Sequence, residues 1–179
     1  MKTTQILIAG FGGQGILFAG KFLAYKGLIE GMQVSWLPSY GPEMRGGTAN
    51  CNVILSDQPI GSPIVTAPDV LIAMNLPSLQ KYIDTVVPGG QVYLDSSLID
   101  TTITRTDVTV FPIPATQMAK DNGIDSLANM IILGHLLENH PDLSFEGTDD
   151  VVQQLVPPKK AALLELNRTA LALGKDHPV

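Results

Sequence analysis

Two glycine-rich segments hold the residues whose types and spacing suit chemistry. Gly10-Phe11-Gly12-Gly13-Gln14-Gly15 satisfies G-x-G-x-x-G. In that pattern glycines let the backbone turn tightly and let a ligand approach the amides at a helix N-terminus, where the dipole favours an anion. Three readings suit such a turn: a dinucleotide site, amides that receive an anion or a partner backbone, or a tight turn that only packs helix closely on sheet. A dinucleotide asks for an acidic residue at the end of the second strand to hold a ribose hydroxyl, or for an Arg near a 2′-phosphate. Gln33-Val34-Ser35-Trp36-Leu37 supplies neither. The second segment, Ser39-Tyr40-Gly41-Pro42-Glu43-Met44-Arg45-Gly46-Gly47, joins an aromatic ring, a carboxylate, a guanidinium and three glycines. Arg45 is the only Lys or Arg between Lys26 and Lys81. Either Glu43 and Arg45 form a local salt bridge of little worth, or Glu43 orients Arg45 toward a carboxylate or phosphate supplied from outside.

The remaining reactive side chains read as structural. Cys51 is the single cysteine, so no intrachain disulfide, cysteine-held iron-sulfur cluster or four-cysteine zinc site can be built from this chain alone. It falls on the apolar face of a strand, which predicts a buried, inert thiol. His135 lies among Leu133, Leu136 and Leu137 and reads as a core histidine, whereas His140 and His177 precede prolines and read as solvated. Asp95-Ser96-Ser97 follows a strand and reads as a cap or turn at the sheet edge. Lys159 and Lys160 read as an exposed helix start. No Ser, His and acid arrangement is legible, and neither a catalytic nor a metal-binding residue is expected in this chain.

The elements that must hold these segments follow from periodicity. Gln5 to Ala9 is a short apolar run ended by glycines, as in a strand buried on both faces. Ile16 to Ile29 is helical and apolar nearly all round, with Lys21 and Lys26 expected in water and Gly31 as the stop. Gln33 to Leu37 reads as a second strand. Thr48 to Leu55 alternates, with Ala49, Cys51, Val53 and Leu55 on one face, so this strand should pair antiparallel or lie near an edge. Further strands are expected over Asp69 to Met74, Gln91 to Leu94 and Val108 to Ile113. Helices are expected from about Pro77 to Val86 with Asn75 as cap, from Thr116 to Lys120, Ser126 to Leu137, Thr148 to Leu155 and Pro158 to Leu173. Strands alternating with helices predict one three-layer α/β/α domain over residues 1–179, with a mixed, mainly parallel sheet and a Rossmann-like first β-loop-α unit. If the first two strands are parallel neighbours, both glycine segments meet at the C-terminal edge of the sheet, where α/β domains place their sites.

Composition limits the partners. The 179 residues carry a net charge of −6, which argues against nucleic acid and anionic membrane surfaces. No apolar run is long enough to span a bilayer and nothing resembles a targeting segment, so the expected compartment is the cytoplasm. Charged residues make up only 16%, and the 38 residues from Gly31 to Pro68 hold just Glu43, Arg45 and Asp57. That deficit predicts a surface covered by a partner, or by a second copy around Trp36, Leu37 and Tyr40 when the chain is alone.

The two glycine segments at this spacing, with Asp69-Val70-Leu71-Ile72-Ala73 and the helix from Asn129-Met130 to Gly134, resemble the gamma subunit of 2-oxoacid:ferredoxin oxidoreductases. The resemblance runs from Ile6 to Gly174. It implies a non-catalytic subunit of a complex that converts a 2-oxoacid and coenzyme A to acyl-CoA and carbon dioxide while reducing ferredoxin. Thiamine diphosphate with magnesium and the iron-sulfur clusters would then belong to alpha, beta and ferredoxin-like subunits. Gly10, Gly12, Gly13, Gln14, Gly15, Tyr40, Gly41, Pro42, Glu43, Arg45, Gly46 and Gly47 would face coenzyme A or a neighbouring subunit. Pyruvate, 2-oxoglutarate and branched-chain oxoacids all remain open as substrates. The competing reading is an autonomous nucleotide-binding module that uses Gly10 to Gly15.

Overall fold

The computed structural model describes residues 2–39 and 48–179. Its six-stranded sheet has the order β2-β3-β1-β4-β5-β6. The strands are β1 (Thr3–Phe11), β2 (Gln33–Pro38), β3 (Thr48–Ser56), β4 (Val70–Ala73), β5 (Gln91–Asp95) and β6 (Thr109–Ile113). The helices are α1 (Ile16–Ile29), α2 (Leu76–Tyr82), α3 (Ala115–Asp121), α4 (Ala128–Asn139), α5 (Thr148–Leu155) and α6 (Ala161–Lys175). β1, β4, β5 and β6 pair parallel, and β3 runs antiparallel to both β1 and β2. The alternation in β3 therefore reports its antiparallel pairing. β3 also separates β1 from β2, so the two strands that lead into the glycine segments point the same way without being neighbours.

Apolar residues on the two faces of the sheet build two unequal cores. Ile6, Ile8, Cys51, Val53, Leu55, Ile72 and Tyr93 pack with residues from α1, α3, α4, α5 and α6. On the other face Leu7, Leu71, Val92 and Leu94 meet Leu79 of α2 together with Val86 and Ile99 from the connections. Asn75 caps α2, accepting from the Ser78 N–H at 2.8 Å. The helix stops at Tyr82 in a 3-10 turn, short of the expected Val86. Arg105 donates to the carbonyls of Ile83 (2.9 Å) and Val86 (2.7 Å), so those acceptors are satisfied from outside the helix.

α4 lies at the centre of the larger core, buried without a break from Ala128 to Leu137. α6 crosses it at Gly134 and Gly174, where backbone meets backbone: a Cβ on Gly134 would lie 2.0 Å from the Leu171 carbonyl oxygen. One on Gly174 would lie 1.8 Å from that of Ile131.

Three side chains expected in water are not there. Lys26 is fully buried, its ammonium paired with Glu30 and lying 3.5 Å from Ser144 Oγ. A buried ammonium persists only when a carboxylate meets it, and the turn after α4 supplies the roof. His140 is also buried; its Nδ1 accepts the Asp142 N–H at 3.1 Å, and burial holds its pKa below the usual imidazole value. His177 is half-buried, its ring 5.4 Å from that of His135. His135 behaves as expected, buried beside Tyr93 and Phe111.

Candidate functional site

The first glycine segment starts inside the sheet. Gly10 belongs to β1, opposite Ala49, and a Cβ there would press on Gln14, Ile16 and Met74 at 2.7 to 2.9 Å. The chain then turns through Gly12 and Gly13, and the Gln14 N–H returns to the Phe11 carbonyl at 3.2 Å. Gly15 precedes α1 with φ 74°, a left-handed conformation that disfavours any side chain. Its carbonyl accepts from Asn129 Nδ2 of α4 at 3.1 Å.

Gln14 fills the cradle that the glycines create. Its Oε1 accepts the Phe11 N–H at 2.6 Å, its Nε2 donates to the Met74 carbonyl at 2.9 Å, and Asn75 Nδ2 approaches Oε1 at 3.4 Å. The carboxamide thus ties the end of β1 to the end of β4. Close packing of helix on sheet accounts for Gly10 and Gly15, and the amide of Phe11 is already engaged.

Around this turn the C-terminal ends of the parallel strands converge. Asp95, fully buried at the end of β5, accepts from the backbone of Ser97 at 3.0 Å and from the N–H and hydroxyl of Thr116 at the start of α3. It is the cap expected from the sequence, and it ties β5 to α3. A cavity of about 210 Å³ lies among Gly13, Gln14, Met74, Leu98, Thr116 and Ser126. A second, of about 260 Å³, opens on the other side of Gly15, among Phe18, Ser126, Asn129, Leu163 and Asn167. The carboxamide oxygens of Asn129 and Asn167 are buried with no hydrogen-bond partner, because each amide nitrogen is held by a backbone carbonyl. Position 129 stood out in the sequence only through its resemblance to a family; Asn167 carried no signal, since nothing in a helical pattern says which residue leaves an oxygen unpaired.

Tyr40, Gly41, Pro42, Glu43, Arg45, Gly46 and Gly47 lie outside the described residues. The residues on either side of that motif are described. The Ser39 N–H donates to the Asn50 carbonyl at 2.8 Å, and Thr48 stands opposite Phe11. Both ends of the motif therefore hang from the same sheet edge as the glycine turn. Among the described residues no group of three or more His, Cys, Asp or Glu is placed to hold a metal ion, and no helix is long and apolar enough to cross a membrane. Cys51 is buried on Gly20 and Trp36, and burial pushes its pKa up to about 12. This is the inert thiol that its strand position predicts.

The family model described as pyruvate ferredoxin/flavodoxin oxidoreductase matches residues 5–177. The chain belongs to this family. Within it, the ketoisovalerate oxidoreductase subunit VorA of Methanothermobacter marburgensis is 41% identical over 176 residues, 98% of this chain and 36% of the relative. The chain thus spans about a third of that protein's length. Among solved structures, the gamma subunit of a keto/oxoacid ferredoxin oxidoreductase from Geobacter sulfurreducens superposes with a TM-score of 0.84 at 30% identity, covering 97% of this chain and 95% of that one. The 2-oxoglutarate:ferredoxin oxidoreductase of Magnetococcus marinus, solved with 2-oxoglutarate, coenzyme A and succinyl-CoA bound, gives 0.88 at 28% identity, covering 98% of this chain and 31% of that one. The α/β architecture read from the sequence is the architecture of these family members.

Proposed function

We propose that this chain is the gamma subunit of a 2-oxoacid:ferredoxin oxidoreductase, itself without catalytic residues, whose glycine-turn edge borders the path that coenzyme A takes to its partners. The observation that carries the reading is the likeness to a separate gamma subunit over nearly the full length of both chains. In this reading thiamine diphosphate, magnesium and iron-sulfur clusters reside in alpha, beta and ferredoxin-like subunits, and external ferredoxin takes the electrons in the cytoplasm. Two cavities flanking one glycine turn support a binding edge, while the engaged Phe11 amide and the absence of an acidic residue in β2 speak against an autonomous dinucleotide module.

In the segment from Tyr40 to Gly47, Arg45 is oriented by Glu43 and offers its remaining donors to a carboxylate of a catalytic subunit or to a phosphate of coenzyme A. The test is reconstitution. The chain alone reduces no ferredoxin with any 2-oxoacid, and adding it to the partner subunits restores coenzyme A-dependent reduction. Arg45→Lys keeps the charge but loses the planar fork, and weakens subunit association or apparent coenzyme A affinity about tenfold. Oxoacid-dependent ferredoxin reduction by the chain alone refutes the subunit reading, and wild-type values for Arg45→Ala in both measurements refute the role of Arg45.

A further inference from the structure

The cavity on the far side of Gly15 carries two unmet demands of opposite sign. Three helices begin at its wall: Gly15 and Phe18 belong to the start of α1, Leu127 and Asn129 to that of α4, and Lys160 and Leu163 to that of α6. Among the described residues no side chain caps any of the three, none has an acidic residue in its first turn, and no Asp or Glu lines the space. Each helix therefore brings the positive end of its dipole to the cavity without a carboxylate to offset it. Lys160 adds a full positive charge to the same wall.

The second demand is for donors. Asn129 and Asn167, each 4% exposed, both line the cavity, and the carboxamide oxygen of each is buried with no hydrogen-bond partner among the described residues. Flipping the amides does not relieve this. Asn129 Nδ2 lies 3.1 Å from the Gly15 carbonyl oxygen and Asn167 Nδ2 lies 2.7 Å from that of Leu163, so a flip sets oxygen against oxygen. Two buried acceptors on one cavity cost stability until a donor meets them. The rest of the wall is apolar, from Phe18, Leu127, Leu155, Val156, Pro157 and Leu163.

Together these demands narrow the occupant. A bare anion suits Lys160 and the helix starts but leaves both carboxamide oxygens unpaired. A bare cation suits the oxygens but meets Lys160 with no carboxylate to offset it. A zwitterion satisfies both. The volume of about 260 Å³, at about 30 Å³ per water, has room for about nine heavy atoms, the size of leucine. We propose that this cavity binds a free α-amino acid with a branched apolar side chain. Its carboxylate is received by Lys160 and the helix starts, its ammonium by the oxygens of Asn129 and Asn167, and its side chain by the apolar wall. Because Asn129 Nδ2 holds the Gly15 carbonyl, the amino acid sits one side chain away from the glycine turn, and its binding braces that turn against α4 and α6.

The full chain, titrated calorimetrically without partner subunits, tests this independently of the subunit reading. L-leucine is expected to bind. Isocaproate, which lacks the ammonium, and isoamylamine, which lacks the carboxylate, should each bind about tenfold more weakly or worse. Asn167→Leu removes one acceptor and leaves the Leu163 carbonyl its own helical bond; it should weaken leucine about tenfold and leave isocaproate unchanged. Lys160→Gln, at an exposed position, should weaken leucine and isocaproate together and leave isoamylamine unchanged. Far-UV circular dichroism and protection of Cys51 from thiol reagents establish that each variant is folded. No binding of leucine at millimolar concentration overturns the proposal, as does isocaproate or isoamylamine binding as tightly as leucine, or wild-type leucine affinity in Asn167→Leu. A crystal grown with leucine that shows only water on Asn129 and Asn167 also overturns it and assigns the cavity to structural water. Binding of inorganic phosphate with no response to leucine overturns it in favour of a simple anion site.

Discussion

Replacing Gly134 by alanine adds one methyl group where the structure has no room for it. The new Cβ lies 2.0 Å from the Leu171 carbonyl oxygen, whereas carbon and carbonyl oxygen in close helix contacts sit about 3.3–3.6 Å apart. The neighbour is helix backbone and cannot swing aside, so α4 and α6 must separate by about 1.4 Å at the crossing, the shortfall against the contact distance. A gap of that size forfeits much of the dispersion between buried Ile131, Leu136, Ala170 and Leu171. Overpacking costs about 1–3 kcal/mol in general, and the rigid neighbour puts this site at or above the upper end. Alanine returns about 1 kcal/mol of helix propensity. The expected net loss is about 2–3 kcal/mol, or roughly 5–10 °C in Tm for a domain of this size. Gly174→Ala, whose Cβ would lie 1.8 Å from the Ile131 carbonyl oxygen, should cost about the same. The double variant should cost clearly less than the sum, because helices already parted for one methyl admit the second. Gly61→Ala, with nothing within 4 Å, serves as the control and should change stability by less than about 0.5 kcal/mol. Urea unfolding followed by far-UV circular dichroism measures all four. Wild-type stability for Gly134→Ala, or strict additivity in the double variant, refutes the close-crossing argument.

Gln14→Ala removes the bonds to Phe11 and Met74 and should cost about 1–2 kcal/mol. Gln14→Glu should not rescue it, since the second carboxylate oxygen then faces the Met74 carbonyl; equal stability of Gln14→Glu and wild type in urea titrations contradicts that role for the carboxamide. Burial lowers the pKa of His135 and His140, so the unfolded chain takes up protons near pH 6.5 that the folded chain still refuses. Their contribution to stability is complete above about pH 6.5 and is lost as pH falls below it; the urea midpoint should drop between pH 7 and pH 5, and less steeply in His140→Gln. Cys51, its pKa pushed up to about 12 by burial, should react with thiol reagents at neutral pH only on unfolding, so that its labelling rate tracks denaturant concentration and labelling of the native protein within minutes counts against its burial.

Elements whose ends carry local punctuation were legible in the sequence. The helix from Ile16 to Ile29 matches α1 at both ends, because Gly15 and Gly31 both adopt positive φ there. The alternation of Cys51, Val53 and Leu55 foretold the antiparallel pairing of β3. Side chains whose surroundings come from distant sequence were not legible. Lys26 read as solvated because the hydroxyl that roofs it, Ser144, lies 118 residues away, and His140 because a His-Pro step resembles a surface turn. At the candidate site, the G-x-G-x-x-G spacing located the turn and its edge. It could not reveal that Gln14 occupies the cradle, since that depends on the Met74 carbonyl and on Asn75 at the end of β4.

The insertion of β3 between β1 and β2 fixes an order of events on the ribosome. In a sheet where β1 and β2 are neighbours, the first β-α-β unit can close on itself once its second strand is made. Here β1 has no partner until β3, ending at Ser56, or β4, ending at Ala73, leaves the exit tunnel. At synthesis rates of roughly 5–20 residues per second, the about 45 residues between the ends of β1 and β3 take about two to nine seconds. Throughout that interval the backbone of β1 has no strand to pair with, and Leu7, 4% exposed in the finished protein, lacks Leu71 and Leu79, which later cover its face of the sheet. The nascent chain is therefore most vulnerable to misassociation over its first third, and slow codons or truncations before Ser56 should be the ones that recruit chaperones.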